Sequence, residues 1–285
     1  MSKFENIKLI ACDLDGTFLS FNGTISNNNK NTIFRLKEEG YILAVITGRP
    51  LYSIPNEIFN LPFDYVVGMN GQILLDTKNN KIFEKEKLNK DNIIELHNIG
   101  IKNISITNLH YQEKSYLVMG KRHLIFGIAF NTLNQIRFVF KQMKKSQVQY
   151  STNLEKMEID DIAKVCFISL HTNLRKLQNE INSLPNQPYH TFMVAKNWLE
   201  VMPSNINKGE ALKDIAIKEN INISETISFG DGENDIPMLK ASGISVAMDN
   251  AMKKTKNIAD YIAPSFLEDG FYKFVNEKIL KEKNG

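Results

Sequence analysis

Short apolar runs alternate with polar, amphipathic stretches along this chain. Residues 7–12 are apolar apart from Lys8 and predict a short buried strand. A polar loop at 18–25 leads to a helix from about 28 to 39, stopped by Gly40, and then to a second buried strand at 41–46. Pro50 suits the first turn of another helix. Residues 64–68 read as a third strand, and Asn70-Gly71 as the turn joining 66–69 to 72–76. Strand, helix, strand, helix, strand implies right-handed crossovers and a parallel sheet.

The rhythm changes after Lys81. A charged strand at 82–88, a helix at 91–99, strands at 104–107 and 115–118, a helix at 134–145, a strand at 164–170 and a helix at 173–184 follow in turn. Residues 190–195 and 198–202 read as a hairpin around Lys196-Asn197. This mixture suggests an α+β module inserted into the parallel-sheet domain. The five histidines are dispersed and receive no catalytic role, and Tyr116, Arg122, His123 and Lys196 read as surface residues before substrate contacts. A helix at 207–219, strands at 226–230 and 244–247, a short helix after Asp249-Asn250 and a last helix from Glu268 past Lys278 complete the pattern.

Two of the apolar runs end in carboxylates: Asp13-Leu14-Asp15-Gly16-Thr17 and Asp231-Gly232-Glu233-Asn234-Asp235. The carboxyl edge of an open parallel sheet is where ligands bind. An extended backbone would point Asp13 and Asp15 the same way, but Gly16 lets the chain turn. One acid can then face a substrate as nucleophile while the other handles protons, the division of labour that transfer through an aspartyl phosphate needs. Asp231 and Asp235 can converge on an oxygen-rich site suited to Mg2+. An isolated Asp-x-Asp-Gly is most often an acidic turn, and a metal–nucleotide-sugar site is a further reading. A calcium loop fails: counted from Asp13, its sixth and twelfth positions hold Phe18 and Thr24, and counted from Asp231 the twelfth is Ser242. The strand at 41–46 ends in Thr47-Gly48-Arg49, where a hydroxyl and backbone N–H groups could grip phosphate, although a plain strand-to-helix turn reads as well. Lys208, opening a helix, would set an ammonium near that phosphate; taken alone it reads as a surface lysine.

The 285 residues suffice for one large domain or two modest ones, with ordinary hydrophobic and charged fractions. A net charge of +3 with scattered lysines argues against a nucleic-acid surface. No run approaches a membrane span, and the N-terminal apolar run, broken by Lys8 and Asp13, does not read as a signal peptide. Cys12 and Cys166 lie in apolar runs and read as core residues of a protein in a reducing compartment.

Taken in order, Asp13-x-Asp15-Gly16-Thr17, Thr47-Gly48-Arg49, Lys208-Gly209 and Gly230-Asp231-x-x-Asn234-Asp235 resemble the four motifs of the haloacid dehalogenase (HAD) superfamily of phosphatases. The middle module resembles a type C2 cap. Asn70-Gly71, the stretch from Leu199 through Lys208-Gly209, and Glu268-Asp269-Gly270 resemble the Cof-type subfamily. The resemblance implies an α/β fold: a HAD-like Rossmannoid parallel-sheet core, residues 1–82 and 193–285, with an inserted α+β C2-type cap at 83–192. It implies a Mg2+-dependent phosphatase with Asp13 as nucleophile and Asp15 as general acid/base. Thr47 and Lys208 would hold the phosphoryl group, with Gly48, Arg49, Asn70, Gly71 and Asn234 on the phosphate-binding side. Mg2+ would be held at Asp13, Asp15, Asp231, Asn234 and Asp235. Gln72 stands where the family often has alanine. The implied substrate is a small phosphorylated metabolite, a sugar phosphate or a nucleotide-derived cofactor. The protein is expected in the cytoplasm, as monomer or homodimer, without nucleic-acid or membrane partners. Two rivals stay open: a phosphomutase on the same scaffold, and a receiver-like phospho-acceptor, though receivers are shorter and lack an acid two residues past the acceptor.

Overall fold

A computed structural model describes residues 3–20, 22–103, 105–111, 115–118, 148–151, 154, 157, 159–160, 162–169, 173–185 and 188–280. In chain order the elements are β1 (Leu9–Cys12), α1 (Asn27–Glu38), β2 (Ile42–Ile46), α2 (Asn56–Phe59), β3 (Tyr65–Gly68), β4 (Ile73–Asp76), β5 (Lys81–Glu84), α3 (Lys90–Lys102), β6 (Ile106–His110), β7 (Ser115–Val118), β8 (Val148–Ser151), β9 (Lys164–Ile168), α4 (Arg175–Asn182), β10 (Tyr189–Ala195) and β11 (Trp198–Pro203). Then follow α5 (Lys208–Lys218), β12 (Thr226–Gly230), α6 (Ile236–Ala241), β13 (Ile244–Met248), α7 (Lys253–Lys256), β14 (Tyr261–Ala263) and α8 (Gly270–Val275). Two compact units result: Met1–Lys85 with Ile206–Gly285, and Glu86–Asn205.

The first unit is built on one sheet in the order β14-β13-β12-β1-β2-β3-β4-β5. Strands from β14 to β3 run parallel, and β4 and β5 turn back antiparallel. The apolar runs are continuous because the inner strands are buried on both faces. In β1, Ile10 and Cys12 enter one core, with Leu43, Val45, Ile227 and Phe229; Leu9 and Ala11 enter the other, with Ala44, Ile46, Leu212 and Ile215. The connections diverge at β1, with β2 on one side and β12 on the other, and such a switch point opens a crevice at the carboxyl ends of the strands. Helix caps set the phase: Ser26 accepts the Asn29 N–H at 3.1 Å to start α1, and Asn207 accepts the Glu210 N–H at 3.0 Å to start α5. The last helix begins at Gly270, two residues later than expected, because Asp269 takes a left-handed φ of 54°.

The second unit is a six-stranded sheet, β10-β11-β9-β6-β7-β8, antiparallel except between β7 and β8. On one face, Ile93, Leu96 and Ile99 of α3 and Leu177 and Ile181 of α4 cover Leu109, Val165, Phe167, Leu199 and Val201. The borders differ from the expected 82/83 and 192/193. β5 stays with the first sheet through β4, and the β10–β11 hairpin stays with the second through pairing of β11 to β9. A hairpin is visible in sequence; the sheet it joins depends on long-range pairing. The helix expected at 134–145, together with Arg122, His123 and His171, lies outside the described residues. Tyr116 packs edge-on against Tyr111 at the margin of the second core. Among the described residues, no helix is long and apolar enough to cross a membrane.

Candidate active site

The two acid-bearing strand ends lie side by side because β1 and β12 are hydrogen-bonded neighbours. The Asp13 N–H donates to the Phe229 carbonyl at 3.0 Å, carrying that pairing one residue past β1. Asp13, Asp231 and Asp235 each bring one carboxylate oxygen to within 4.8 Å of the others. Lys208, fully buried at the start of α5, places its Nζ between Asp13 Oδ1 and Asp235 Oδ1, the latter at 2.6 Å. Asp235 Oδ2 accepts the N–H groups of Asp231 and Gly232 at 2.9 and 2.8 Å. Asp235 therefore orients both the lysine and the loop that carries Asp231.

Two glycines permit this convergence. Gly16 has a left-handed φ of +76°, and a Cβ there would meet Asp231 Oδ2 at 2.5 Å. At Gly209, a Cβ would meet the Pro237 carbonyl oxygen at 2.5 Å, so glycine lets α5 approach the start of α6 with Lys208 turned inward.

Burial pushes the Asp13 carboxyl well above the usual range; Lys208 opposes this, while Asp235 and Asp231 add to it. Asp231 is pushed up to about 7, first by burial and then by Asp235, against the pull of Lys208. For Lys208, burial favours the neutral form, but Asp13 and Asp235 outweigh it and hold the ammonium charged. Three carboxyl groups gather around one ammonium in a buried place, so once ionised they carry more negative charge than Lys208 offsets. Oxygen-only donors with surplus negative charge suit a hard divalent cation, so these residues fit Mg2+.

A second knot joins the β2 and β12 loops. Thr47 is buried at the end of β2, and its Oγ1 accepts the Arg49 N–H at 3.2 Å. Asn70, at a left-handed φ of 55°, donates its N–H to the Thr47 carbonyl at 2.9 Å and accepts Asn234 Nδ2 at its Oδ1 at 3.0 Å. Gly48 lies against that amide, and a Cβ there would sit 3.2 Å from Asn70 Oδ1. Gly71 faces α5 instead, where a Cβ would meet the Asn207 carbonyl oxygen at 2.8 Å.

Asp15 does not join the carboxylate cluster. Its Oδ1 and Oδ2 accept from Nη2 and Nε of Arg49 at 2.5 and 2.7 Å, a two-point fork, and Arg49 Nη1 donates to the Ser53 carbonyl at 3.0 Å. Arg49, expected on the phosphate side, thus holds Asp15 in this structure.

Two supporting residues, both within stretches quoted from the sequence, were given no role there. Thr17 Oγ1 makes a long contact to Asp231 Oδ1 at 3.4 Å. Asn250 Nδ2 donates to the Gly16 carbonyl at 2.8 Å and reaches Asp231 Oδ2 at 3.5 Å, while its Oδ1 accepts the Phe266 N–H at 3.2 Å. The available signal was its place just past β13, the strand beside β12.

A family model of haloacid dehalogenase-like hydrolases matches residues 10–275. The chain is similar to the 5-amino-6-(5-phospho-D-ribitylamino)uracil phosphatase YcsE of Bacillus subtilis strain 168, with 28% identity over 96% of this chain and 97% of the relative. It is similar to the HMP-PP phosphatase of Escherichia fergusonii, with 26% identity over 87% of this chain and 86% of the relative. A solved structure of a HAD-superfamily phosphatase from Bacteroides thetaiotaomicron shares the fold, with a TM-score of 0.80 at 23% identity and 97% of each chain covered. With both compact units spanned by the family match and the ordered carboxylates converging at one sheet edge, the chain belongs to the haloacid dehalogenase-like hydrolases.

Proposed function

We propose that this protein is a Mg2+-dependent phosphatase of small phosphorylated metabolites that works through an aspartyl phosphate on Asp13. The observation that carries this reading is the convergence of Asp13, Asp231 and Asp235 around buried Lys208 at the ends of β1 and β12. The names of the similar proteins, one of them a phosphatase of a phosphoribityl compound, support the substrate class.

In the first step an Asp13 carboxylate oxygen bonds to phosphorus, and the bond from phosphorus to the leaving oxygen breaks. Asp15 gives its proton to that oxygen. In the second step Asp15 takes a proton from water, the water oxygen bonds to phosphorus, and the acyl phosphate bond breaks to return Asp13 and release phosphate. Lys208 neutralises charge on the transferred group and holds Asp13 in line, and Thr47 and the backbone beside it grip its oxygens. Mg2+ would be held by Asp13, Asp231 and the Asp15 carbonyl, with Asp235 and Asn234 in support; when bound it offsets repulsion between carboxylate and phosphate dianion. On the same footing, the unit Glu86–Asn205 is assigned the part of a substrate-selecting cap.

The test is phosphate release by the purified protein from a panel of phosphorylated metabolites. Sustained release in Mg2+, abolished by chelation and restored by Mg2+, is expected, with little turnover in Ca2+, whose looser coordination spoils the attack geometry. Release limited to one phosphate per protein would mean a phospho-acceptor. Return of the phosphoryl group to a hexose phosphate would mean a mutase.

A further inference from the structure

We infer that Arg49 acts on the reaction through Asp15, as the positioning residue of the general acid/base, and not as a ligand of the transferred phosphate. The inference rests on the reading of Asp15 proposed above and concerns the other half of its ion pair. The guanidinium meets Asp15 edge to edge, Nη2 to Oδ1 at 2.5 Å and Nε to Oδ2 at 2.7 Å. Such a fork fixes both the distance and the plane of a carboxylate, which a single contact cannot do. The arginine is itself held: Nη1 donates to the Ser53 carbonyl at 3.0 Å, its N–H donates to Thr47 Oγ1 at 3.2 Å, and its carbonyl accepts the Met69 N–H at 2.9 Å. Arg49 is therefore a strut from the β2 loop to the Asp15 side chain. Asp15 belongs to a turn held through its other residues: an isolated bridge to Leu19, the Phe18 and Leu19 N–H groups donating to the Leu14 carbonyl, Asn250 Nδ2 donating to the Gly16 carbonyl and Thr17 Oγ1 reaching Asp231 Oδ1. Apart from Arg49, no bond to the Asp15 carboxylate is recorded among the described residues, so the strut sets its aim.

The strut also has to yield. To protonate a leaving oxygen, one Asp15 oxygen must carry a hydrogen and turn it to the substrate. An oxygen so protonated no longer accepts from the guanidinium through that hydrogen. One arm of the fork opens in each turnover while the other keeps the carboxyl group in place. Asp15 is thus parked by Arg49 between turnovers and swings on it during them.

A double-mutant cycle on kcat/KM, which covers the steps through leaving-group departure, tests this with the full chain and two substrates: an alkyl phosphate, whose leaving oxygen needs a proton, and a nitrophenyl phosphate, whose leaving group does not. Asp15→Asn should lower kcat/KM on the alkyl substrate far more than on the aryl one. If it does not, the reading of Asp15 fails, and this inference with it, before Arg49 is touched. Arg49→Ala should show the same selectivity, losing about ten- to a hundredfold on the alkyl phosphate and little on the aryl phosphate. In the Asp15→Asn background it should cost nothing further, because partners acting as one unit are not additive. Inhibition by inorganic phosphate should be unchanged. Arg49→Lys, which keeps the charge without the fork, should resemble Arg49→Ala. Equal losses on both substrates, additive losses with Asp15→Asn, or weaker phosphate inhibition with rescue by lysine would overturn the inference and return Arg49 to the phosphate. Because Arg49→Lys retains an ammonium that can reach the same carbonyl, it serves as the folded comparison should Arg49→Ala melt early.

Discussion

The two sheets of this protein handle polar residues in opposite ways. In the first, β1 is apolar throughout and β12 carries only the hydroxyls of Thr226 and Ser228 within the strand, and the charged groups come where these two strands end, at Asp13 and Asp231. In the second, polar groups sit inside the strands. β9 alternates Lys164, Val165, Cys166 and Phe167, and β11 alternates Leu199, Glu200 and Val201, with the apolar members facing α3 and α4. The other face carries Asn108, Cys166 and Glu200 in one register row and His110 beside Lys164 in the next. Lys164 and Glu200 form a buried ion pair at 2.6 Å. In the first unit, ending the apolar run at the acids places them in a crevice where chemistry can use them. In the second, charge within the run is matched by charge on a neighbouring strand, which makes register itself an electrostatic matter.

Asp13→Asn should produce the largest effect, a loss of about a thousandfold or more in kcat, since a residue that bonds to the substrate has no substitute. Rates of phosphate release on the purified variant measure it, and retention of a tenth of the activity would remove Asp13 from the nucleophile's role. Next, Glu200→Gln should lower stability by about 3–5 kcal/mol, because it removes the carboxylate charge opposite a buried ammonium. Thermal melts should then show most of the loss recovered when Lys164→Met and Glu200→Leu are combined. A drop in kcat with an unchanged melt would break the contrast between a catalytic strand end and a structural strand interior.

Lys208→Ala should cost roughly two orders of magnitude in kcat, as for loss of a preorganised charge contact, with Lys208→Arg rescuing only in part. A near-normal rate would reduce Lys208 to a packing residue. The smallest effect should be the one on pH. Burial first, and then the charge of Lys164, lower the pKa of His110 from 6.5 to about 3. Between those values the unfolded chain binds the proton that the folded chain refuses, so stability rises with pH across that window and falls as pH drops from 6.5 toward 3. His110→Gln should flatten that part of the stability–pH curve in denaturant melts, and an unchanged curve would show that His110 is protonated in the folded state.

Much of the first unit is legible from local signals. An apolar run followed by an acid, a threonine or a glycine is a strand end, and Asp13, Thr47 and Asp231 all lie where that rule puts them. A Pro or Gly at a helix boundary and an Asn before Lys208-Gly209 announce the elements because capping and backbone freedom act over a few residues. What the sequence determined by itself is therefore the α/β class, most of the order of elements, with the strands at 148–151 and 261–263 unread, and which side chains stand at strand ends.

Everything that depends on which strand pairs with which was decided by the tertiary structure. The placement of β1 between β2 and β12 brings Asp13 beside Asp231 across more than two hundred residues of chain, and α5 then inserts Lys208 between Asp13 and Asp235. Nothing near Arg49 in sequence says that its fork closes on Asp15, and nothing near Asn250 says that it bonds to Gly16. The same holds for the β10–β11 hairpin, whose local signal was read while its sheet was not. Local propensity arises from contacts within a turn or a strand, so sequence carries it directly. Pairing and ion-pair partners arise from burying apolar surface shared among distant segments, and that total is set only when the whole chain has packed.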